Sequence, residues 1–365
     1  MAAPAEIVEH PDGSLGPLLR LWGISPDQIP DLDDHARATQ LAHEILDEAI
    51  PFIGSTITPA IASRHNPVSS PVKPVNLWRS KGQKKSPPSA APVSLSQRTI
   101  PRSALTHISP VLDRKKTCSE TWSCRKSVHI DADRSGSASW AEFKHSFRDE
   151  HVKAEEAFTP TVIKSNVLRR WDLLSSPGAE SIELGGRRWS RLTMELSEAR
   201  HKLAPRVVPL KDRVFVVVIV TATASSFSDQ PAAAMPTAVE TPSLPAVPDM
   251  PGDDAEFVVV SVAVRNAAAL GPDAVLARAK DIVPAMYSSV ERFCRRAGED
   301  GGREVEWMMA TASDAKGILP LWLQIRAVPG QIAKDVGYFI GWVVREREKS
   351  KQVEGTTSQR NDRLQ

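Results

Sequence analysis

Apolar residues recur every three or four positions through residues 320–345, PLWLQIRAVPGQIAKDVGYFIGWVVR. The recurring positions are Leu321, Ile325, Val328, Ile332, Val336, Phe339 and Val343. This spacing predicts a helix with one apolar face, which must lie along a large apolar surface. Polar residues interrupt the segment too often for a membrane span. Pro320 suits the first turn of the helix, whereas the interior Pro329 predicts a kink or a short break.

Runs rich in β-branched residues precede this helix and predict strands. The predicted strands span 120–130, 162–171, 189–203, 214–222, 256–264, 285–293 and 305–313. Helices are predicted at 140–157 and at 272–279. This order predicts an α+β fold in which an antiparallel sheet buries one face against the C-terminal helix.

Composition divides the chain into four predicted parts. Residues 1–55 form an N-terminal segment with one helix, and 56–117 a basic Pro/Ser-rich linker that is mostly disordered, since it holds nine prolines. Residues 118–348 form the folded domain, with a flexible insertion at 223–255 that contains six prolines. The polar residues 349–365 are predicted to be a disordered tail.

The net charge of +2 gives no global signal for nucleic acid, and no nucleic-acid partner is expected. The distribution is uneven, because residues 1–55 carry ten acidic against two basic side chains, whereas 56–117 carry eleven basic against one acidic. The basic run Arg79, Lys81, Lys84 and Lys85 could contact anionic lipid headgroups. Such a run is more often simply solvated, and pairing with the acidic N-terminal segment is another explanation.

The cysteines Cys118, Cys124 and Cys294 are too few and too irregularly spaced for a metal site, and indicate free thiols. The N-terminus MAAPAEIVEHPDG has neither a basic nor an apolar region of a signal peptide. We therefore expect a cytoplasmic protein.

The segment DADRSGSASWAEF, residues 131–143, matches a calcium EF-hand loop at several positions. Asp131, Asp133, Ser135, Gly136 and Glu142 fall at loop places 1, 3, 5, 6 and 12. A predicted strand, not a helix, enters this loop, and place 8 is the small Ala138. The alternative interpretation is a capping box of Ser139 and Glu142 that starts the following helix. We favour this second interpretation and expect no metal site.

Residues suited to catalysis are scattered among the predicted strands. They are His201, Lys202, Arg213, Glu291, Arg292, Asp314 and Lys316. Cross-strand ion pairing accounts for them without catalysis. No nucleophile elbow, Walker loop, dinucleotide fingerprint or zinc-protease motif is present. We therefore expect a protein that is not an enzyme and needs no cofactor.

From Thr121 onward the chain resembles a fungal family of unknown function that carries a START-like (helix-grip) domain. The resemblance is carried by TWSCRKSVHI, GSASWAEF, HKL at 201–203, PLKDRVFVVVIVTA, YSSVERF and VEWMMATASDAKGILPLWLQIRAVPGQIAKDVGYFIGWV. It implies a curved antiparallel sheet wrapped around a long C-terminal helix, with an internal cavity between them. START-type relatives use such cavities for sterols, phospholipids or other apolar molecules. The family itself provides no established ligand.

The resemblance leads us to expect a monomeric binding protein that holds a lipid, a sterol or another apolar ligand between sheet and helix, with possible transfer of lipid. The predicted ligand-binding residues are Arg213, Arg292, Trp307, Met309, Trp322, Ile325, Val328 and Ile332. The two arginines would anchor a polar group of the ligand, and the others would line the cavity. An ordinary packed core explains the apolar set equally well. The alternative function is an enzyme on the same fold, of the cyclase/aromatase or hydrolase type.

Overall fold

A computed structural model of the protein describes residues 16–56, 77–108, 118–173, 181–203, 210–224, 255–317 and 320–362. Within these ranges ten strands form one sheet. They are β1 (Arg79–Lys84), β2 (Val93–Ile100), β3 (Glu120–Ile130), β4 (Val162–Trp171), β5 (Ser181–Leu184), β6 (Arg187–His201), β7 (Arg213–Ala224), β8 (Glu256–Ala263), β9 (Val283–Ala297) and β10 (Arg303–Asp314). The strand order is β1-β2-β3-β10-β9-β8-β7-β6-β4, with β5 paired to β6. These neighbours are antiparallel, and the start of β7 also pairs in parallel with the start of β9.

The helices of the described ranges precede the sheet, interrupt it and follow it. They are α1 (His35–Gly54), α2 (Arg102–Ile108), α3 (Trp140–Phe143), a π-helix (Lys144–Asp149), α4 (His151–Phe158) and α5 (Leu321–Asp362), with short 3-10 turns at Pro26–Gln28 and Ala267–Leu270. None of the helices in the described ranges is long and apolar enough to cross a membrane.

Both faces of the sheet are buried. On the inner face, Trp307 and the alternate residues of the neighbouring strands pack against α3, the π-helix, α4 and α5. On the outer face, Met308 and its counterparts pack against α1 and the coil that precedes it. Burial on both faces explains why β7 and β8 are nearly continuous apolar runs rather than alternating ones.

The predicted α+β class is confirmed, because an antiparallel sheet packs around a long C-terminal helix. The seven predicted strands are present, with bounds within a few residues of those expected. The helix predicted at 140–157 is divided by the π-helix. The expected helical piece at 272–279 is wrong, since those residues form turns. Helix α5 continues through Pro329 without the short break that was one of the two predicted effects.

The predicted domain borders need correction. Within the supposed linker, residues 77–108 contain β1, β2 and α2, which belong to the main sheet. Their burial explains this, because Trp78, Val93, Leu95 and Leu105 all lie in the core. The folded region therefore begins well before Cys118, and α5 extends to Asp362 through most of the predicted disordered tail. The parts of the linker and of the 223–255 insertion at 57–76, 109–117 and 225–254 lie outside the described residues.

Gly337 is the point where α5 lies closest to the segment between β1 and β2. Its backbone N–H donates to Ser86 Oγ over 3.1 Å, and a Cβ added to it would stand 2.6 Å from the Pro87 carbonyl oxygen. We predict that Gly337→Ala lowers the free energy of unfolding by about 1–3 kcal/mol, because backbone must move to make room. Urea unfolding measures this effect.

Gly330 provides the matched control in the same helix. A Cβ there would meet only Lys84 Nζ, the flexible end of a side chain, at 3.2 Å. Gly330→Ala should therefore stabilise the protein by roughly 0.5–1 kcal/mol, the usual gain of alanine over glycine inside a helix. Equal effects of the two variants would contradict the close packing at Gly337.

Candidate functional site

A cavity of about 210 Å³ lies between the inner face of the sheet and helices α4 and α5. Its walls are formed by Arg125, Phe147, His151, Glu155, Phe158, Thr159, Thr161, His201, Glu291, Trp307, Met309 and Asp335. One side of this wall is aromatic and the other is ionisable. Thr161, in the turn between α4 and β4, is exposed and marks the rim.

The aromatic side depends on how the 139–158 segment begins. The Ser139 side chain accepts from the backbone N–H of Glu142, and the Glu142 carboxylate accepts from Ser139, so the predicted capping box is confirmed. The helical segment that starts there places Phe147 against the inner face of the sheet. Its ring centroid lies 4.8 Å from those of Phe293, Trp307 and Phe339. These four rings pack against one another between the sheet and α5.

Arg125, on β3, is the buried cation of the cavity, with only 2% of its surface exposed. Its guanidinium carbon lies 3.8 Å from the centroid of the Trp307 ring, a cation–π contact. Its Nη2 reaches Glu291 Oε2 at 3.5 Å, at the limit of a hydrogen bond. Its Nε and Nη1 are buried and have no hydrogen-bond partner in the part of the chain that the structure describes. Buried donors without acceptors typically cost about 1–3 kcal/mol each.

Two carboxylates share this polar end. Glu291 accepts a hydrogen bond from Trp307 Nε1 over 2.8 Å, which fixes its position beside Arg125. Asp335, on α5, faces the same cavity. Burial raises the pKa of Asp335 to about 7, and the carboxylates of Glu155 and Glu291 also raise it, while Arg125 lowers it. Near neutral pH the carboxyl of Asp335 therefore exists in both protonated and ionised forms.

Two histidines near the cavity, His129 and His201, have pKa values lowered by burial. Burial, together with the positive charge of Arg125, lowers the pKa of His129 to about 4. Burial also lowers the pKa of His201. His151 Nε2 stands 3.8 Å from Glu155 Oε2, beyond hydrogen-bond distance. Among the described residues, no histidine of the wall lies within hydrogen-bond distance of an acid.

A second cavity, of about 390 Å³, adjoins the first. It lies between the π-helix, the start of α4 and strands β4, β6 and β7, with Trp171, Met194 and Ile219 among its apolar walls. Charged side chains such as Arg148 and Glu195 also line it. His151 lines both cavities.

The structure divides the predicted ligand-binding residues into two groups. Trp307 and Met309 both line the cavity, so they share the inner face, as their common parity predicts. Ile332 is buried in the inner core and Val328 packs against it. These four residues lie around the space between the sheet and α5.

The remaining predicted residues lie elsewhere. Arg292 is on the outer face, where it binds Glu256 at 2.6 Å and Glu306 at 3.3 Å. Arg213 donates to backbone carbonyls at the end of the sheet, including that of Lys316 at 3.3 Å. Neither arginine lines this cavity, and the arginine in its wall is Arg125, which the sequence analysis did not single out.

The first turns of α5 also depart from the prediction. The side chain of Trp322 is 67% exposed and points away from the core. Ile325 is half-buried, and its carbonyl accepts a hydrogen bond from Gln97 Nε2 over 3.1 Å. Neither residue lines the cavity. The part of α5 that packs on the inner face begins near Val328, about two turns after Leu321, where the apolar stripe starts.

The carboxylates of the EF-hand-like segment are committed to protein partners. Asp131 binds Arg295 at 2.8 Å and accepts from the backbone N–H of Trp140. Asp133 binds Arg347 at 2.6 Å, and Glu142 binds the same guanidinium. The segment follows β3, a strand, and the described residues contain no cluster of potential metal ligands. This geometry supports the capping-box interpretation rather than a calcium loop.

Comparison with solved structures finds similarity at low sequence identity. Human STARD10 is 11% identical, with a TM-score of 0.43, over 76% of this chain and 76% of that one. The human StarD13 (DLC2) lipid transfer and protein localization domain is 12% identical, with a TM-score of 0.39, over 73% and 88%. Human StAR-related lipid transfer protein 5 is 9% identical, with a TM-score of 0.45, over 86% and 99%.

A search of the curated proteins finds no match. A family model described as "Protein of unknown function (DUF3074)" matches residues 122–343, which include β3 to β10, the helices between them and the cavity-lining part of α5. Because this match covers more than half of the 365 residues, the protein belongs to the DUF3074 family.

Proposed function

We propose that the protein binds an apolar small molecule of the lipid or sterol class in the cavity between the inner face and α4 and α5. The observation that carries this proposal is the state of Arg125, which is buried at the cavity wall with two guanidinium nitrogens that have no hydrogen-bond partner among the described residues. Buried polar groups of folded proteins are nearly always hydrogen-bonded. A ligand acceptor in the cavity would satisfy these donors.

The residues that line the cavity determine which kind of ligand would fit it. The guanidinium only donates hydrogen bonds, so the polar group of the ligand must be an acceptor, such as a hydroxyl, carbonyl or carboxylate oxygen. The rings of Phe147, Phe158 and Trp307 require an apolar body next to that group. The acids Glu291 and Asp335 favour a neutral acceptor over an anion while Asp335 is ionised.

The volume limits the size of the ligand. Sites for drug-sized ligands usually span about 300–1,000 Å³. The cavity of about 210 Å³ is smaller, so it accommodates a slim molecule or one part of a larger lipid. The adjoining 390 Å³ cavity, which shares His151, would provide room for the remainder.

We favour binding over catalysis. A hydrogen-bonded pair of histidine and acid on the wall would support the enzyme alternative, but His151 and Glu155 are 3.8 Å apart. The protein is therefore proposed to hold its ligand unchanged, and transfer between membranes is its proposed use.

Ligand binding is tested with protein purified from a eukaryotic host. Native mass spectrometry should show a co-purified apolar molecule, and fluorescent probes of two classes, cis-parinaric acid and dehydroergosterol, should report affinity. Arg125→Met should weaken binding of the preferred probe about 10- to 100-fold, as expected for the loss of hydrogen bonds to a charged group. Arg326→Met, on the exposed face of α5, is the matched control and should bind normally.

A second variant tests the cavity without removing any of its buried charges. Met309→Trp would fill the space beside Trp307 and should block binding while the thermal melting curve stays cooperative. Unchanged binding by both Arg125→Met and Met309→Trp would show that this cavity is not the binding site.

A further inference from the structure

Strand β1 and the first half of α5 form one continuous exposed surface. Gln97 connects them, because it is the partner of Arg79 in the sheet and donates to the carbonyl of Ile325. Lys84 Nζ lies beside Gly330. Strand β1 therefore runs alongside α5 in the same direction, at the edge of the sheet, and its six residues are all exposed.

This surface is rich in cations. Six exposed basic side chains lie on it: Arg79, Lys81, Lys84, Lys85, Arg326 and Lys334. None of the six forms an ion pair with another described residue. Residues 77–108 contain no acid, and Asp335, which is the acid of α5 between 320 and 345, lines the cavity. The positive charge of the surface is thus uncompensated.

Exposed apolar residues continue the surface at the start of α5. Leu321, Trp322 and Leu323 are 37%, 67% and 40% exposed. Lysines on an edge strand can serve only to prevent pairing with other strands, which would explain β1 by itself. That role does not explain three consecutive large apolar side chains in water next to the same cations.

The apolar residues lie at the end of the sheet that holds the cavity rim. Arg213 donates to the carbonyls of Ala315 and Lys316, just before α5, and pairs across the sheet with His201. His201 and Thr161 both line the cavity. A partner bound at the start of α5 would therefore be near the opening through which a ligand enters.

We propose that this basic–apolar surface docks on a bilayer that contains anionic lipids. Its lysines and arginines would lie against the headgroups, and Trp322 with its two leucine neighbours would insert at the interface. Nucleic acid fits the surface less well, because leucine side chains offer neither hydrogen bonds nor stacking to bases. Membrane docking depends on the proposed function only for its biological purpose. Docking would bring the cavity to a membrane, where an apolar ligand is exchanged.

Docking is tested by sedimentation of the full chain with vesicles of phosphatidylcholine alone and with about 30% phosphatidylserine. We expect binding to the anionic vesicles that weakens with salt, and at least tenfold weaker binding to the neutral ones. Lys81→Glu/Lys84→Glu should weaken binding to anionic vesicles at least tenfold, since each cation contributes about fivefold. Trp322→Ala should weaken it several-fold.

Matched controls come from a loop on the outer face. Arg278 and Lys280 are exposed there, beside Asp273 and Asp281, and Val275 is 64% exposed. Arg278→Glu/Lys280→Glu changes the net charge as much as the β1 double variant, and Val275→Ala removes a comparable exposed apolar group. Both controls should bind anionic vesicles like the unmodified protein.

Three results would overturn the proposal: equal binding to neutral and anionic vesicles, equal losses in the β1 and control double variants, or tighter binding to an RNA oligonucleotide than to anionic vesicles at the same salt concentration. Failure of docking is distinguishable from failure of the cavity. Lys81→Glu/Lys84→Glu should still bind its fluorescent probe in solution, and Arg125→Met should still bind vesicles.

Discussion

Replacement of Glu256 by glutamine is expected to lower the free energy of unfolding by about 3–5 kcal/mol. Glu256 is 1% exposed on the outer face and joins two buried guanidinium groups. Its carboxylate accepts from Arg292 Nε over 2.6 Å and also binds Arg187. The neutral amide would leave both cations without their main counter-charge in a low-dielectric core, with only Glu306 near Arg292.

Urea unfolding followed by circular dichroism measures this loss. Glu183→Gln is the control, because Glu183 forms an ion pair with Arg188 at 3.5 Å in which the two side chains are 70% and 49% exposed. Such surface pairs contribute about 0–1 kcal/mol. If the free energy of unfolding falls by less than about 1 kcal/mol in both glutamine variants, the ion pairs of Glu256 with Arg292 and Arg187 do not stabilise the outer face.

Asp335→Asn is expected to change how stability depends on pH. The pKa of Asp335 is raised by folding from 3.8 to about 7, so between these values the folded chain binds more protons than the unfolded chain. The free energy of unfolding must then fall as pH rises from about 4 to 7, and stay level above that. The full shift corresponds to a decrease on the order of 4 kcal/mol, and the asparagine variant should not show it.

The quantity to measure is the difference between the two pH profiles. His129, whose lowered pKa favours the neutral ring, contributes the opposite slope between about pH 4 and 6.5 in both proteins. Subtraction removes this contribution. The variant should therefore gain stability relative to the unmodified protein as pH rises towards 7. Parallel profiles would mean that the Asp335 carboxyl is solvated rather than buried.

The strands and α5 were predictable because their signals are local. The runs VFVVVIVTA and EFVVVSVA combine β-branched density with strand length, and the spacing in 320–345 fits only a helix. Strands β1 and β2 were missed because serine, lysine, glycine and proline around them resemble a disordered linker. The alternation of Val93 and Leu95 with serines was the available signal for β2. Strand β1 is polar throughout and is positioned only by its partners.

The candidate site was predictable only in part. Trp307 and Met309 share a parity, which correctly placed them together. Arg125 was missed because β3 has polar residues on both parities, and its apolar set of Trp122 and Cys124 faces outward to α1. Ordinary alternation would place Arg125 in water, whereas a second layer covers its face. The sequence of one strand does not reveal that helices cover both faces of the sheet.

The outer face of the sheet, which α1 covers, bears on where the borders of the shared family region lie. The shared region at 122–343 leaves out α1, β1 and β2, although α1 shields Val218, Val220 and Val260 from solvent. A fragment limited to residues 122–343 would expose the apolar outer face of the sheet to solvent. It would also leave the edge of β3 without its neighbouring strand. Such a piece would self-associate, so the smallest autonomous unit of this protein is longer than the part its relatives visibly share.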